Sequence, residues 1–233
     1  MDFNDSQQEA AFRKEARDFL EANAEKRSII SDKPNDKSPQ IAVAGAPETV
    51  KGGKEAAQEA LERAKVWQKK KAEAGFAAIL WPKEFGGYGG SPIQQVIYSQ
   101  EEHDYLVPSG YFEIGIGMLG PTMMVWGKDE DKKRYLPKMI TGEEIWCQLF
   151  SEPSAGSDLA GIKMKAEKDG DEWVLNGQKV WTSGAHFADY GMIVARSDPS
   201  ALKHKGLTYF LSLIHISEPT RPRLISYAVF CLK

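Results

Sequence analysis

The sequence predicts an α+β chain in which a mostly helical first part precedes an antiparallel sheet or barrel. Apolar residues recur at helical spacing up to about residue 140, and from Glu144 the pattern changes to short extended runs. Asp169-Gly170 and Asn176-Gly177 are the dipeptides that best satisfy a tight hairpin turn. Helices followed by strands exclude an alternating βαβ fold.

The opening helix is placed over residues 5–27, where Phe12, Ala16, Phe19 and Leu20 share a face and Ser6 and Glu9 stand in capping-box order. The stretch 28–53 carries Pro34, Pro39 and Pro47 with little periodicity and reads as a flexible insertion. A second helix over 54–75 ends on Gly75, with Leu61, Lys65 and Gln68 marking a thin apolar side. After the turn-rich WPKEFGGYGGSP, Ser91 and Pro92 cap a third helix carrying Val96, Ile97 and Tyr98, and shorter helical pieces follow to Ile140. IWCQLF is then a short apolar strand. KMKAEK, EWVL and QKVWTS form a predicted three-stranded meander, and YGMIVARS and GLTYFL add two further strands.

Composition bounds the function. The 233 residues are 42% hydrophobic and 27% charged with a net charge of -3, an ordinary globular balance that does not favour nucleic acid as a partner. No apolar run approaches the ~20 residues of a membrane helix, and the start lacks a secretory signal, so a cytoplasmic protein without a membrane span is expected. Two cysteines, Cys147 and Cys231, suit neither a zinc cluster nor a disulfide framework.

Some signals are set aside. Residues 115–120 match G-x-G-x-x-G, but the preceding SGYFEI is a poor buried strand and the helix after Pro121 stops at Gly127, so the run reads as helix packing and a turn. Glu101, Glu102, His103 and Asp104 point around a helix and read as a solvated face. His186, His204 and His215 show no metal-ligand spacing, and no metal is assigned.

The chemistry is read from two segments. In IWCQLFSEPSAGSDLAG (145–161) a strand runs into a loop where Ser151, Ser154, Ala155, Gly156 and Ser157 bring hydroxyls and backbone N–H groups together. Some thirty residues on, NGQKVWTSGA sets Trp181 beside Thr182 and Ser183 at a predicted strand end, which suits a planar heteroaromatic ring. Alone, either piece is an ordinary turn or an ordinary core residue.

Together they resemble the acyl-CoA dehydrogenase family, in which a segment of the type Q-L-F-[ST]-E-P-x-A-G-S-D-L-A-G is followed at this distance by N-G-x-K-x-W-T-[ST]. The resemblance covers most of residues 1–211. It implies an N-terminal helical domain (1–144, with the insertion 28–53), a middle β-barrel domain (145–211) left incomplete, and a C-terminal four-helix domain to which nothing here corresponds. It also implies FAD as cofactor, an acyl-CoA substrate desaturated between its α and β carbons, electron-transfer flavoprotein as acceptor, a homo-oligomeric full-length enzyme, and a place in fatty-acid β-oxidation. Residue by residue, Ser151 would bond the pyrimidine side of the flavin, Trp181 would lie against the ring system with Thr182 beside it, and Ser183 would reach toward N5. Gln148 and Phe150 would line the ring, and Ser157 would meet the thioester arm. The family's catalytic Glu belongs to its C-terminal domain, so no catalytic residue is assigned and the chain alone is expected to be inactive. Alternatives are an oxidase or monooxygenase of the same fold, or a non-catalytic module that binds flavin or a partner protein. The end, LSLIHISEPTRPRLISYAVFCLK, resembles the peptide translated from sequencing-adaptor DNA. Residues 212–233 are therefore expected to be foreign to the family and Cys231 to have no role.

Overall fold

The computed structural model describes residues 4–27 and 53–213. The expected insertion lies outside the described residues apart from Gly53, as does the expected tail beyond Leu213. The described residues form two compact units, one of 4–27, 53–110 and 136–143, the other of 111–135 and 144–213. No described helix is long and apolar enough to cross a membrane.

The first unit is built on three helices: α1 (Gln7–Asn23), α2 (Gly53–Glu73) and α3 (Pro92–His103). The Glu9 N–H donates to Ser6 Oγ (3.3 Å) and the Ser6 N–H to Glu9 Oε2 (2.7 Å), which completes the capping box and fixes where α1 begins. Ser91 and Gln94 repeat the device at α3, with Pro92 in its first turn. Phe12, Ala16 and Leu20 recur every four residues and are buried against Trp67, Phe76, Ile79, Ile97, Tyr98 and Tyr105. Each fully buried large apolar side chain contributes about 1.5–3 kcal/mol. The two-residue strands β1 (Glu25–Lys26) and β2 (Tyr105–Leu106) pair antiparallel and close the unit.

The acidic run on α3 is not simply solvated. Glu101 accepts from Arg13 Nη1 (3.1 Å) and Arg17 Nε (2.9 Å), tying α3 to α1, and the two guanidiniums, Arg17 foremost, hold its carboxyl below the usual carboxylate range. Glu102 accepts from the Tyr98 hydroxyl (3.2 Å) and pairs with Lys71 (3.4 Å). Among the described residues no three His, Cys, Asp or Glu side chains gather as a metal-holding group.

In the second unit the run 115–120 is helical: a π-helical turn (Gly115–Leu119) leads into α4 (Gly120–Trp126), which ends at Gly127. Helix α5 (Asp129–Thr141) begins in this unit and finishes in the first. Arg134 of α5 pairs with Glu144 (2.8 Å) and donates to the Tyr190 hydroxyl (3.3 Å), while Trp146 stacks on Tyr190 at 4.5 Å. These contacts fix the starts of the two strands that follow.

The sheet consists of β3 (Trp146–Leu149), β4 (Lys165–Asp169), β5 (Glu172–Asn176), β6 (Tyr190–Arg196) and β7 (Leu207–Leu213). It is mixed rather than wholly antiparallel. Strand β6 pairs antiparallel with β7 along its length, parallel with β3 from Tyr190 to Ile193, and parallel with β4 at Arg196. Strands β4 and β5 make the expected hairpin, but Asp169 pairs with Glu172, so the two loop residues are Gly170 and Asp171. Gly170 has φ 58° and Asp171 is not in the positive-φ region, the signature of a type II′ turn rather than I′. Only a glycine then adopts the unusual conformation, whereas a type I′ turn at Asp169-Gly170 would force Asp169 there too.

The third strand of the predicted meander does not form, and residues 178–183 are irregular. Asn176-Gly177 is not a hairpin turn. A Cβ at Gly177 would lie 2.8 Å from Met164 Cα, so the glycine is required for close passage of the chain past the start of β4.

Candidate functional site

Strand β3 delivers the first segment. Gln148 and Phe150 alternate with the buried Cys147 and Leu149 and are half-buried, Phe150 packing edge-on to Tyr209 at 6.4 Å. Glu152 and Ala155 exchange backbone hydrogen bonds (2.8 and 3.0 Å) across a turn with Pro153 at its second position, so the chain reverses immediately after Ser151. Ser154, Gly156 and Ser157 are exposed beyond that turn.

The second segment lies against the first. The Val180 N–H donates to Ser151 O (2.9 Å), while Lys179 Nζ donates to Phe150 O and to Glu152 Oε1, both at 2.9 Å. Three consecutive residues, 150 to 152, are thus held by two, 179 and 180. Glu152 also accepts the N–H groups of Lys163 (2.6 Å) and Met164 (2.9 Å), which fixes the approach to β4. The Lys179 side chain is 0% exposed and that of Glu152 5%. Burial alone would raise the Glu152 pKa. The Lys163 N–H, the Lys179 ammonium and the Met164 N–H outweigh it and hold the carboxyl below the usual carboxylate range.

Immediately after this knot, Trp181 is 78% exposed. It is not at a strand end, and its φ of 55° puts it in the left-handed region, one of two non-glycine residues there among those described. Thr182 is half-buried and Ser183 exposed. The chain then turns through Gly184 (φ 77°), whose carbonyl accepts the Phe187 and Ala188 N–H groups (3.2 and 3.1 Å). Phe187 packs on Tyr111 at 5.0 Å. Asp189 closes the segment, accepting the Ile145 N–H on Oδ2 (2.8 Å) and donating its own N–H to Ile145 O (2.9 Å).

The structure therefore brings Ser151 to the stretch carrying Trp181, Thr182 and Ser183, with Gln148 on β3 and Phe150 directly after it. Ser157 lies outside this network, on the loop leading to the 3₁₀ turn Leu159–Gly161. Sequence reasoning missed Lys179, because a lysine in a short extended segment is ordinarily a surface residue. The available signal was its position between Gln178 and Val180, opposite a glutamate in the motif loop. A wide, uncovered indole beside hydroxyls fits a planar, polar-edged ring such as a flavin.

Two family models match the chain: acyl-CoA dehydrogenase, N-terminal domain, over residues 46–143, and acyl-CoA dehydrogenase, middle domain, over residues 147–219. The chain belongs to the acyl-CoA dehydrogenase family. It is 41% identical over 160 residues to acyl-CoA dehydrogenase IpdE1 of Mycobacterium tuberculosis, a match covering 69% of this chain and 42% of that protein. It is 36% identical over 148 residues to (2S)-methylsuccinyl-CoA dehydrogenase of Cereibacter sphaeroides, covering 60% of this chain and 26% of that one. Among solved structures, the Tcur3481-Tcur3483 steroid ACAD superposes with a TM-score of 0.70 at 30% identity, covering 99% of this chain and 55% of that one. The chain spans less than half the length of these curated relatives.

Proposed function

We propose that the full-length enzyme to which this chain belongs is an FAD-dependent acyl-CoA dehydrogenase that introduces an α,β double bond into an acyl-CoA thioester. The observation that supports this most directly is the clamp between residues 150–152 and 179–180, which sets the Ser151 backbone against a stretch that displays the Trp181 indole. When bound, FAD supplies the acceptor for the β-hydride. On this reading Trp181 gives the ring a flat apolar surface, and Ser151, Thr182 and Ser183 supply hydrogen bonds at its polar edge. Gln148 and Phe150 line the approach, and Ser157 binds the thioester arm.

The base that removes the α-proton is assigned to none of the described carboxylates. Glu152, in the motif loop, is engaged by an ammonium and two backbone N–H groups and is held in its weakly basic form. Glu101 is occupied by two arginines. The same reading takes electron-transfer flavoprotein as acceptor, a homo-oligomeric parent, and a cytoplasmic setting in which the buried Cys147 stays a thiol, its pKa pushed up to about 12 by burial.

The test is the full-length enzyme purified with FAD. It should retain the cofactor, and its visible flavin band should bleach on adding an acyl-CoA thioester and recover with electron-transfer flavoprotein faster than with oxygen. Protein that stays colourless refutes the reading, and recovery fastest with oxygen makes it an oxidase of the same fold.

A further inference from the structure

We propose that Lys179 is a positioning residue whose buried pairing with Glu152 imposes the left-handed, outward conformation of Trp181. What the displayed indole receives rests on the functional reading above. The conformational claim stands on the chain alone.

The left-handed region crowds Cβ against the carbonyl oxygen, and a bulky residue stays there only when its surroundings over-determine it. Burial of the indole is not that cause, since Trp181 is 78% exposed. The constraint must come from the flanks. On the C-terminal side the Gly184 turn is pinned by Phe187 packing on Tyr111. On the N-terminal side Val180 makes one backbone bond to Ser151, and a single bond of that kind acts as a pivot. Lys179 removes the pivot. Its ammonium reaches the carbonyl before Ser151 and the carboxylate after it, so the segment is gripped on both sides of that bond. Glu152 is itself held by the Lys163 and Met164 N–H groups, so the grip is anchored to the start of β4 rather than to a free loop. With both flanks fixed, the residue between them takes up the mismatch, and φ 55° at Trp181 is where it appears.

The test reads backbone strain at residue 181 and needs no flavin. A residue forced to positive φ favours Gly over Ala, whereas a relaxed one favours Ala. In the 233-residue chain, Trp181→Gly should therefore unfold with an equilibrium constant several-fold smaller than Trp181→Ala, measured by urea denaturation. Combined with Lys179→Met and Glu152→Gln, which replace the pair with uncharged side chains of similar size, that advantage should vanish or reverse. An advantage that persists unchanged without the pair overturns the proposal, as does its absence in the original background. Should the combined variant not fold, Lys179→Met alone, which removes both hydrogen bonds of the grip, serves instead. The advantage should then shrink at least threefold, and an unchanged advantage overturns the proposal there too. A merely stabilising ion pair would lower all variants equally and leave the Gly-to-Ala ratio alone. Failure of the full-length enzyme to bind FAD would leave this result untouched, so the two readings fail separately.

Discussion

Removing the Lys179 ammonium should leave a buried carboxylate with no cation, and the consequence can be followed through pH. In Lys179→Met the carboxylate of Glu152 keeps the Lys163 and Met164 N–H groups but loses the charge that balances it in a site where the two side chains are 0% and 5% exposed. Such exposure leaves little solvent screening, so the cost should be that of breaking a buried pair, about 3–5 kcal/mol at pH 7. With a urea m-value of about 2 kcal/mol/M, the midpoint should fall by about 1.5–2.5 M. Adding Glu152→Gln removes the stranded charge and should recover more than half of the loss, because a neutral pair carries no comparable desolvation cost. The sign with pH follows from the shift of Glu152. Its folded pKa is depressed, so its contribution in the original chain is complete above an unfolded value of about 4.3 and is lost as pH falls through the folded value. Without Lys179 two of the causes that lower that pKa are gone while burial still raises it, so the variant's Glu152 should protonate at a higher pH than in the original chain and acid should relieve the variant. The difference between the original chain and Lys179→Met should therefore be largest near neutrality and shrink toward pH 4. A difference independent of pH, or a double variant no more stable than the single one, refutes the electrostatic account and leaves only lost packing.

A Cβ at Gly87 would overlap the Trp81 carbonyl oxygen, so Gly87→Ala should lower the thermal midpoint of the first unit by at least the several degrees that about 1–3 kcal/mol implies, and an unchanged midpoint would mean that the loop shifts freely. In the FAD-loaded parent, Trp181→Ala should weaken cofactor retention while Ser183→Ala slows flavin reduction with cofactor content kept. Gel filtration and stopped-flow absorbance separate the two, and unchanged behaviour in both variants places the flavin elsewhere.

What the sequence disclosed is what local chemistry decides. The Ser6–Glu9 box and the four-residue recurrence of Phe12, Ala16 and Leu20 specify α1 without reference to anything distant. Ser91 and Pro92 do the same for α3. The hairpin was legible from its glycine and the turn type was not, because the choice between I′ and II′ depends on which residue is spared a positive φ. Strand direction was hidden for a different reason. Whether β3 runs parallel to β6 is set by the long connection between them, which leaves no mark on the residues of either strand. Residues 178–183 misled most. They read as a strand because Val180, Trp181 and Thr182 favour extended backbone, with the lysine taken as surface and the tryptophan as core, yet Lys179 is the most enclosed side chain of the segment and the indole two positions on faces out. A binary pattern assigns burial by residue type, and here a partner 27 residues away reverses the assignment.

That reversal explains why an ion pair, rather than apolar packing, stands at this point. A buried pair adds little net stability over well-packed apolar side chains of the same volume, since desolvation offsets its attraction. It differs in direction. An ammonium that must meet both the Phe150 carbonyl and the Glu152 carboxylate at hydrogen-bond distance tolerates only one placement of its backbone, whereas a leucine in the same space could slide by an ångström at small cost. The segment that follows carries an uncovered indole in a strained conformation, neither of which favours folding. Two local rules are broken side by side, a charged residue inside and a large aromatic outside, and on the proposal above the first accounts for the second: the enclosed charge fixes the frame in which the exposed ring is held.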